Sequence, residues 1–181
     1  MLSEIVVFAP AKINLGLKVL PKRQDGFHNL ESIFQTVSLA DKLTVSEFSG
    51  SGCTVTCEDM ELPENNTISN TYKAFCSVTG ISGFAVNVIL EKHIPAGGGL
   101  GGGSSDAAAF IRALEKLKGI RLSEKQLDSI ASEVGSDVFF FTHCDSAGTC
   151  CAVVTGRGEF VRVIKKRRDL YFVMIFPEIH S

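Results

Sequence analysis

Residues 94–109, IPAGGGLGGGSSDAAA, set six glycines within seven positions directly ahead of an alanine run. Glycine loses more backbone entropy on folding than any other residue, so a chain that gathers it before a helix needs bare backbone there. Without side chains the main chain adopts positive φ and comes close to a ligand, and several N–H groups can point at one anion. A helix opening at Ser104 as N-cap adds unpaired N–H groups and the positive end of its dipole. The combination predicts a phosphate cradle fed by a strand, FAVNVILE (84–91), and leaving through a helix to Lys118 with Gly119 as its stop.

Other phosphate and nucleophile motifs fit less well. GxxxxGK[ST] fails because glycine, not lysine, precedes Ser104. Gly97, Gly99 and Gly102 satisfy GxGxxG, but a dinucleotide site needs a following strand ending in an acid, and here another helix follows. The HRD and DFG partners of protein kinases and the GxSxG elbow are missing from the sequence.

The first third of the chain reads as β-structure. In KINLGLKVL, Ile13, Leu15, Leu17 and Val19 alternate with Lys12, Asn14, Gly16 and Lys18, which predicts a half-buried strand with Lys12 and Asn14 sharing the face opposite the apolar one. PKRQDG (21–26) marks a turn before a strand through IFQTVSL. DKLTVSEF and CTVTC extend the pattern, joined by a tight SGSG turn. A helix is predicted over Thr67–Thr79, striped by Ile68, Tyr72 and Phe75 and closed by Gly80. Ser123 and Gln126 have capping-box spacing for a helix ending near Gly135. The tail returns to β-structure: GTCCAVVT, a GRG turn, EFVRVI, a charged hairpin turn KKRRD and LYFVMIFP. Strands and helices do not alternate strictly, so the class is α+β rather than a doubly wound sheet.

Composition sets outer bounds. A chain of 181 residues supports one substantial core, or at most two small ones. The net charge of -2 argues against a dedicated nucleic-acid binder, and no apolar run approaches the ~20 residues of a membrane span. The N-terminus has neither signal-peptide nor transit-peptide character, which predicts a cytoplasmic protein. The six cysteines form no CxxC pair, and Cys53 and Cys57 alternate with Val55 as one strand face does, so reduced core thiols are expected. His93, His143 and His180 do not cluster and read as structural or solvent-facing.

Three blocks carry a family resemblance. The glycine stretch resembles the ATP-binding motif of the GHMP kinases, named for galactokinase, homoserine kinase, mevalonate kinase and phosphomevalonate kinase. APAKINLGLKVLPKRQDGFHNLES and EVGSDVFFF are similar to the N-terminal signature and catalytic-aspartate segment of one branch. That branch phosphorylates the 2-hydroxyl of 4-diphosphocytidyl-2-C-methyl-D-erythritol in the non-mevalonate route to isoprenoid precursors. The similarity runs from about Ala9 to Pro177.

The resemblance implies a fold of the ribosomal protein S5 domain 2 type: a mixed, mostly antiparallel sheet with helices on one side. It implies Lys12 and Asp137 as catalytic residues, and Asn14, Phe27 and His28 around the polyol and cytosine. It further implies Asn66 and Lys92 at adenine, and Pro95, Gly97, Gly98, Gly99, Leu100, Gly101, Gly102, Gly103, Ser104 and Ser105 around the nucleotide phosphates. ATP and Mg²⁺ are the implied cofactors. No metal-ligand set is assigned, Ser105 being a candidate side chain for Mg²⁺. Transfer to an alcohol needs the hydroxyl placed in line, its proton accepted and charge on the γ-phosphate neutralised, roles an aspartate and a lysine supply.

The chain departs from that branch in three places. Phe27 stands where tyrosine is usual, and Phe139 where proline is usual. Residues 1–181 also correspond to the family's N-terminal, ATP-binding and catalytic domain, without its C-terminal domain. Two alternatives therefore stand beside the kinase reading: a nucleotide-binding module without turnover, and a GHMP kinase for another small alcohol, against which DGFH (25–28) argues.

Overall fold

The computed structural model describes residues 4–58, 60–167 and 169–175. His180 and the end of the LYFVMIFP segment lie outside the described residues.

Two long strands form the frame. β1 (Glu4–Lys22) and β2 (His28–Phe48) pair antiparallel along their length, from Glu4↔Ser46 to Lys22↔His28. The other edge of β2 is shared. Its first half pairs with β5 (Cys151–Gly156), and its second half with β4 (Ala85–Glu91), both antiparallel. β6 (Phe160–Val163) extends the sheet beyond β5, and β3 (Gly52–Cys57) lies outside β4. IFQTVSL and DKLTVSEF are therefore one continuous strand. CTVTC makes no hairpin with it: β3 pairs parallel with β4, and β4 lies between β3 and β2. A glycine-serine turn ends a strand but leaves the next partner to be chosen by burial.

Helices α1 (Thr67–Thr79), α2 (Gly102–Lys118), α3 (Glu124–Val134) and α4 (Ser136–Thr142) cover one sheet face. Inward residues Val7, Leu43, Val45, Val86 and Val88 pack against Ile68 and Phe75 of α1, Phe110 and Leu114 of α2 and Ile130 of α3. Val6, Phe8 and Ile89, one position out of phase, remain exposed as the two-residue period requires. A second cluster joins Phe34, Ala152 and Val154 to Phe140 and Phe141 of α4. The fold is that of an α+β domain with a mixed, mostly antiparallel sheet.

Local signals explain the helix ends. Asn66 caps α1, its Oδ1 accepting from Ser69 N, and Gly80 closes it in the left-handed conformation. Ser123 and Gln126 complete a capping box on α3, and Gly119 stops α2. α2 begins earlier than its sequence indicates. Gly101 is the N-cap and Ser104 lies inside the first turn, because glycine backbone alone makes the left-handed entry.

The tail differs from expectation. Residues 165–167 and 169 make no hairpin among the described residues: Arg167 pairs with Asp169, and its backbone exchanges hydrogen bonds with the Gln35 side chain of β2. Residues 170–175 alternate, Met174 packing on a small core cluster while Tyr171, Val173 and Ile175 point out, yet form no strand among the described residues. Alternation alone makes no strand without a ladder partner. Cys53, Val55 and Cys57 do share the packed face of β3, and all six cysteines are free thiols.

Candidate active site

The site is assembled where β1 breaks register. Between Pro10 and Lys12 the pairing with β2 shifts, and the released Lys12 N–H donates to Leu100 O of the glycine loop at 2.9 Å. This bond ties the loop to the strand that carries the lysine. Burial here breaks the simple alternation: Lys12 is buried, Asn14 half-buried and Ile13 packed against Ala11 and Leu100, while Leu15, Leu17, Lys18 and Val19 are all exposed beyond the register shift at Asn14/Gly16. Polar residues face inward because partners await them.

Those partners satisfy Lys12 fully enough to bury it, with 5% of its surface exposed. Its Nζ donates to Asn14 Oδ1 at 2.9 Å, lies 3.3 Å from Asp137 Oδ2 and sits over the Phe34 ring. Asn14 in turn donates to Ser32 Oγ, which donates to Gly16 O, so the amide is held in one orientation. Asp137 belongs to the first turn of α4, a helix the sequence reading missed, and it retains solvent access. The lysine is fixed and the carboxylate is reachable.

On the other side of the glycine loop lies a cavity of about 260 Å³. Its wall includes Asn66, Lys92, Pro95 and residues 97–103, so most of the residues expected around a nucleotide meet at one opening. Helical geometry leaves the N–H groups of Gly102, Gly103 and Ser104 without intrahelical acceptors at its rim. Met60, Leu62, Ile68 and Leu90 supply an apolar wall suited to a flat base. Ser105 is different: it is fully buried and donates its hydroxyl proton to Pro10 O at 2.7 Å. The Asn66 side chain is likewise engaged, capping α1 and donating to Pro63 O.

Lys92 anchors a charge cluster that the sequence did not disclose. Its Nζ donates to Asp41 Oδ2 and, at 2.8 Å, to Asp106 Oδ2. Asp41 Oδ1 accepts from the backbone N–H groups of His93 and Ile94, which lead into the glycine loop. Burial opposes the charge on Lys92, but Asp106 and Asp41 outweigh it and raise its pKa. Asp106 is 2% exposed, and among the described residues its Oδ1 has no hydrogen-bond partner. Burial first, and then Asp41, push its pKa up to about 7 against the pull of Lys92. Asp106 was legible only as the acid ahead of the alanine run in α2, and Asp41 not at all.

Phe27 and His28 lie at the far end of the β1–β2 frame. The turn before them is held by Arg23 N donating to Phe27 O and by an Arg23–Asp25 ion pair. Phe27 is exposed, and His28 Nδ1 lies 2.8 Å from Leu20 O. A carbonyl accepts only, so Nδ1 carries the hydrogen and Nε2 faces outward.

The glycine loop thus leads from β4 into the N-terminus of α2 within an α+β fold. Residues 66–145 match the family described as GHMP kinases N terminal domain. The chain is 41% identical over 174 residues to 4-diphosphocytidyl-2-C-methyl-D-erythritol kinase of Treponema pallidum subsp. pallidum, covering 96% of this chain and 58% of that protein. It is 44% identical to the enzyme of that name from Thermotoga maritima, covering 99% of this chain and 62% of the relative. The crystal structure of a 4-(cytidine 5'-diphospho)-2C-methyl-D-erythritol kinase superposes with a TM-score of 0.69 at 37% identity, covering 88% of this chain and 55% of that one. A homoserine kinase from Cytophaga hutchinsonii, 21% identical with a TM-score of 0.59 over 90% of this chain and 51% of its own, shares the fold. The chain thus spans about three fifths of the length of these curated relatives.

Proposed function

We propose that this chain is the ATP-binding and catalytic part of an enzyme that phosphorylates the 2-hydroxyl of 4-diphosphocytidyl-2-C-methyl-D-erythritol. The observation that carries the reading is the Lys12–Asp137 pair, 3.3 Å apart, with the Lys12 backbone bonded to the glycine loop. A phosphoryl acceptor at Asp137 and a triphosphate along the loop then meet at one ammonium group. The relatives' names supply the substrate, and Phe27 and His28 supply a stacking face and a hydrogen-bonding edge for its cytosine.

In this mechanism Asp137 takes the proton from the attacking hydroxyl as its oxygen bonds to the γ-phosphorus and the bond to the β-phosphate oxygen breaks. Lys12 stabilises the charge that develops on the transferring group, and Asn14 keeps the ammonium aimed. The N–H groups of Gly102, Gly103 and Ser104 hold phosphate oxygens. Mg²⁺, the implied partner of ATP, would offset phosphate charge during transfer. Among the described residues no helix is long and apolar enough to cross a membrane, and we place the reaction in the cytoplasm.

The test is ADP release by this chain with ATP, Mg²⁺ and the cytidyl diphosphate polyol, against a control lacking the polyol. Polyol-dependent release that disappears in Asp137→Asn is expected. Undiminished turnover in Asp137→Asn overturns the assignment of the base. Because the chain spans three fifths of its relatives, ATP binding without release identifies a nucleotide-binding module instead.

A further inference from the structure

The turn between β5 and β6, Gly156–Arg157–Gly158, has no part in the site as described so far. Its location gives it one. Leu30↔Gly156 pairing sets the turn beside the beginning of β2, and the Arg157 guanidinium carbon lies 3.7 Å from the centroid of the exposed Phe27 ring. On its other side the turn abuts α4. A Cβ on Gly158 would fall 3.1 Å from the carbonyl oxygen of Ser136, the residue before Asp137. Arg157 is therefore held between the aromatic residue at one end of the site and the carboxylate segment at the other.

Stacking on Phe27 uses the flat face of the guanidinium and leaves its rim of N–H donors available. Among the described residues none of those donors makes a hydrogen bond or an ion pair. The turn's own carboxylate, Glu159, accepts the backbone N–H of Arg157 instead. An arginine so oriented is set for bidentate donation to phosphate oxygens, a geometry that lysine cannot reproduce. Phe27 lacks the polar handle of a tyrosine, so the stacked guanidinium also helps fix the plane of the ring.

The geometry points to Arg157 as a substrate-binding residue that grips the diphosphate of a cytidine diphosphate-linked substrate while backing the ring on which the base stacks. The inference rests on the function proposed above and deepens it. With the base at Phe27 and the reacting hydroxyl at Asp137, the group between them in such a substrate is the diphosphate. A nucleoside diphosphate is thereby distinguished from a nucleoside by one side chain, and the site prefers the linked polyol to the free alcohol.

The test is a titration of this chain with cytidine and with cytidine 5'-diphosphate, followed by backbone amide NMR shifts, which also report whether each variant is folded. Wild type is expected to bind the diphosphate about tenfold or more tightly than cytidine, with a marked salt dependence, as charge-assisted hydrogen bonds to phosphate require. Arg157→Ala is expected to weaken the diphosphate about tenfold and cytidine less than about threefold, and Arg157→Lys to keep the salt dependence while losing part of the affinity. Equal diphosphate affinity in Arg157→Ala and wild type overturns the inference. So does an equal loss for both ligands, which reduces Arg157 to a support for Phe27. If neither ligand shifts any wild-type signal, the cytidine reading of the proposed function falls, and this inference with it. Cytidine binding without preference for the diphosphate leaves that reading intact and sinks the inference alone.

Discussion

Gly101 is the point at which loop, lysine and helix α4 meet, and replacing it with alanine tests that junction directly. Its φ is +70°, where an L side chain is strained by roughly 1–2 kcal/mol. The added methyl carbon would also fall 3.0 Å from Phe141 Cε2 and 3.2 Å from Lys12 Cγ. Overpacking of that kind costs roughly 1–3 kcal/mol, because both neighbours are buried and neither side chain has room to retreat. The sum is about 2–5 kcal/mol. At about 2–4 °C per kcal/mol for a chain of this size, melting falls by about 4–20 °C in a thermal scan followed by circular dichroism. Gly97→Ala is the control: its φ is +77°, but nothing lies within 4 Å of the added carbon, so only the same backbone strain of roughly 1–2 kcal/mol applies. Equal shifts in the two variants would show that the contacts to Lys12 and Phe141 carry none of the effect.

Three further outcomes are expected. Asp106→Asn is stabilising at high pH: a carboxyl raised from 3.8 to about 7 contributes stability that is complete below its unfolded value and lost as pH rises through 7. Unfolding free energies of variant and wild type from urea denaturation should coincide near pH 4 and diverge by a few kcal/mol above about pH 8; a constant difference refutes the assignment. Lys12→Met, which keeps the packing over Phe34, should lower turnover about 10²–10³-fold in the ADP-release assay with little change in KM for ATP. Phe75→Ala, in a fully buried position between α1 and the sheet, should cost about 3–5 kcal/mol by chemical denaturation and Phe75→Leu far less.

What could be read in advance divides by the range of the interaction. The bounds of α1 follow from Asn66 and Gly80, and the start of α3 from Ser123 and Gln126, because a cap is made by residues a few positions apart. Strand pairing has no such local signal. β3 takes β4 as its parallel neighbour across the whole of α1, and nothing in SGSG specifies that. Helix α4 escaped because VFFF is an apolar run too short for a period of 2 or 3.6 to be told apart. In β1 the alternation reads as one regular strand and gives no sign of the register shifts at Pro10/Lys12 and Asn14/Gly16 that decide which residues are covered. Lys12 faces inward because Asn14 and Asp137, the latter 125 residues away, satisfy its ammonium.

The same reasoning explains why one lysine of the site was accompanied by its acid in the sequence reading and the other was not. Lys12 and Lys92 flank the glycine loop, and each is neutralised by carboxylates from other elements: Asp137 of α4 for the first, Asp41 of β2 and Asp106 of α2 for the second. A charge inside a strand or an alanine-rich helix ordinarily reads as a solvated one. These are buried because they fasten the loop. Asp41 takes the N–H groups of His93 and Ile94 at its entry, and Leu100 O takes the N–H of Lys12 near its exit. Around Gly97 and Gly99, between those two attachments, there is open space. The conformational freedom that six glycines would give the loop is therefore restricted at both ends by groups bonded to the two lysines, and the backbone N–H groups at the start of α2 are fixed before any phosphate arrives. Preorganised donors of that kind are what phosphoryl transfer needs, since they stabilise charge without reorganising at the moment of reaction.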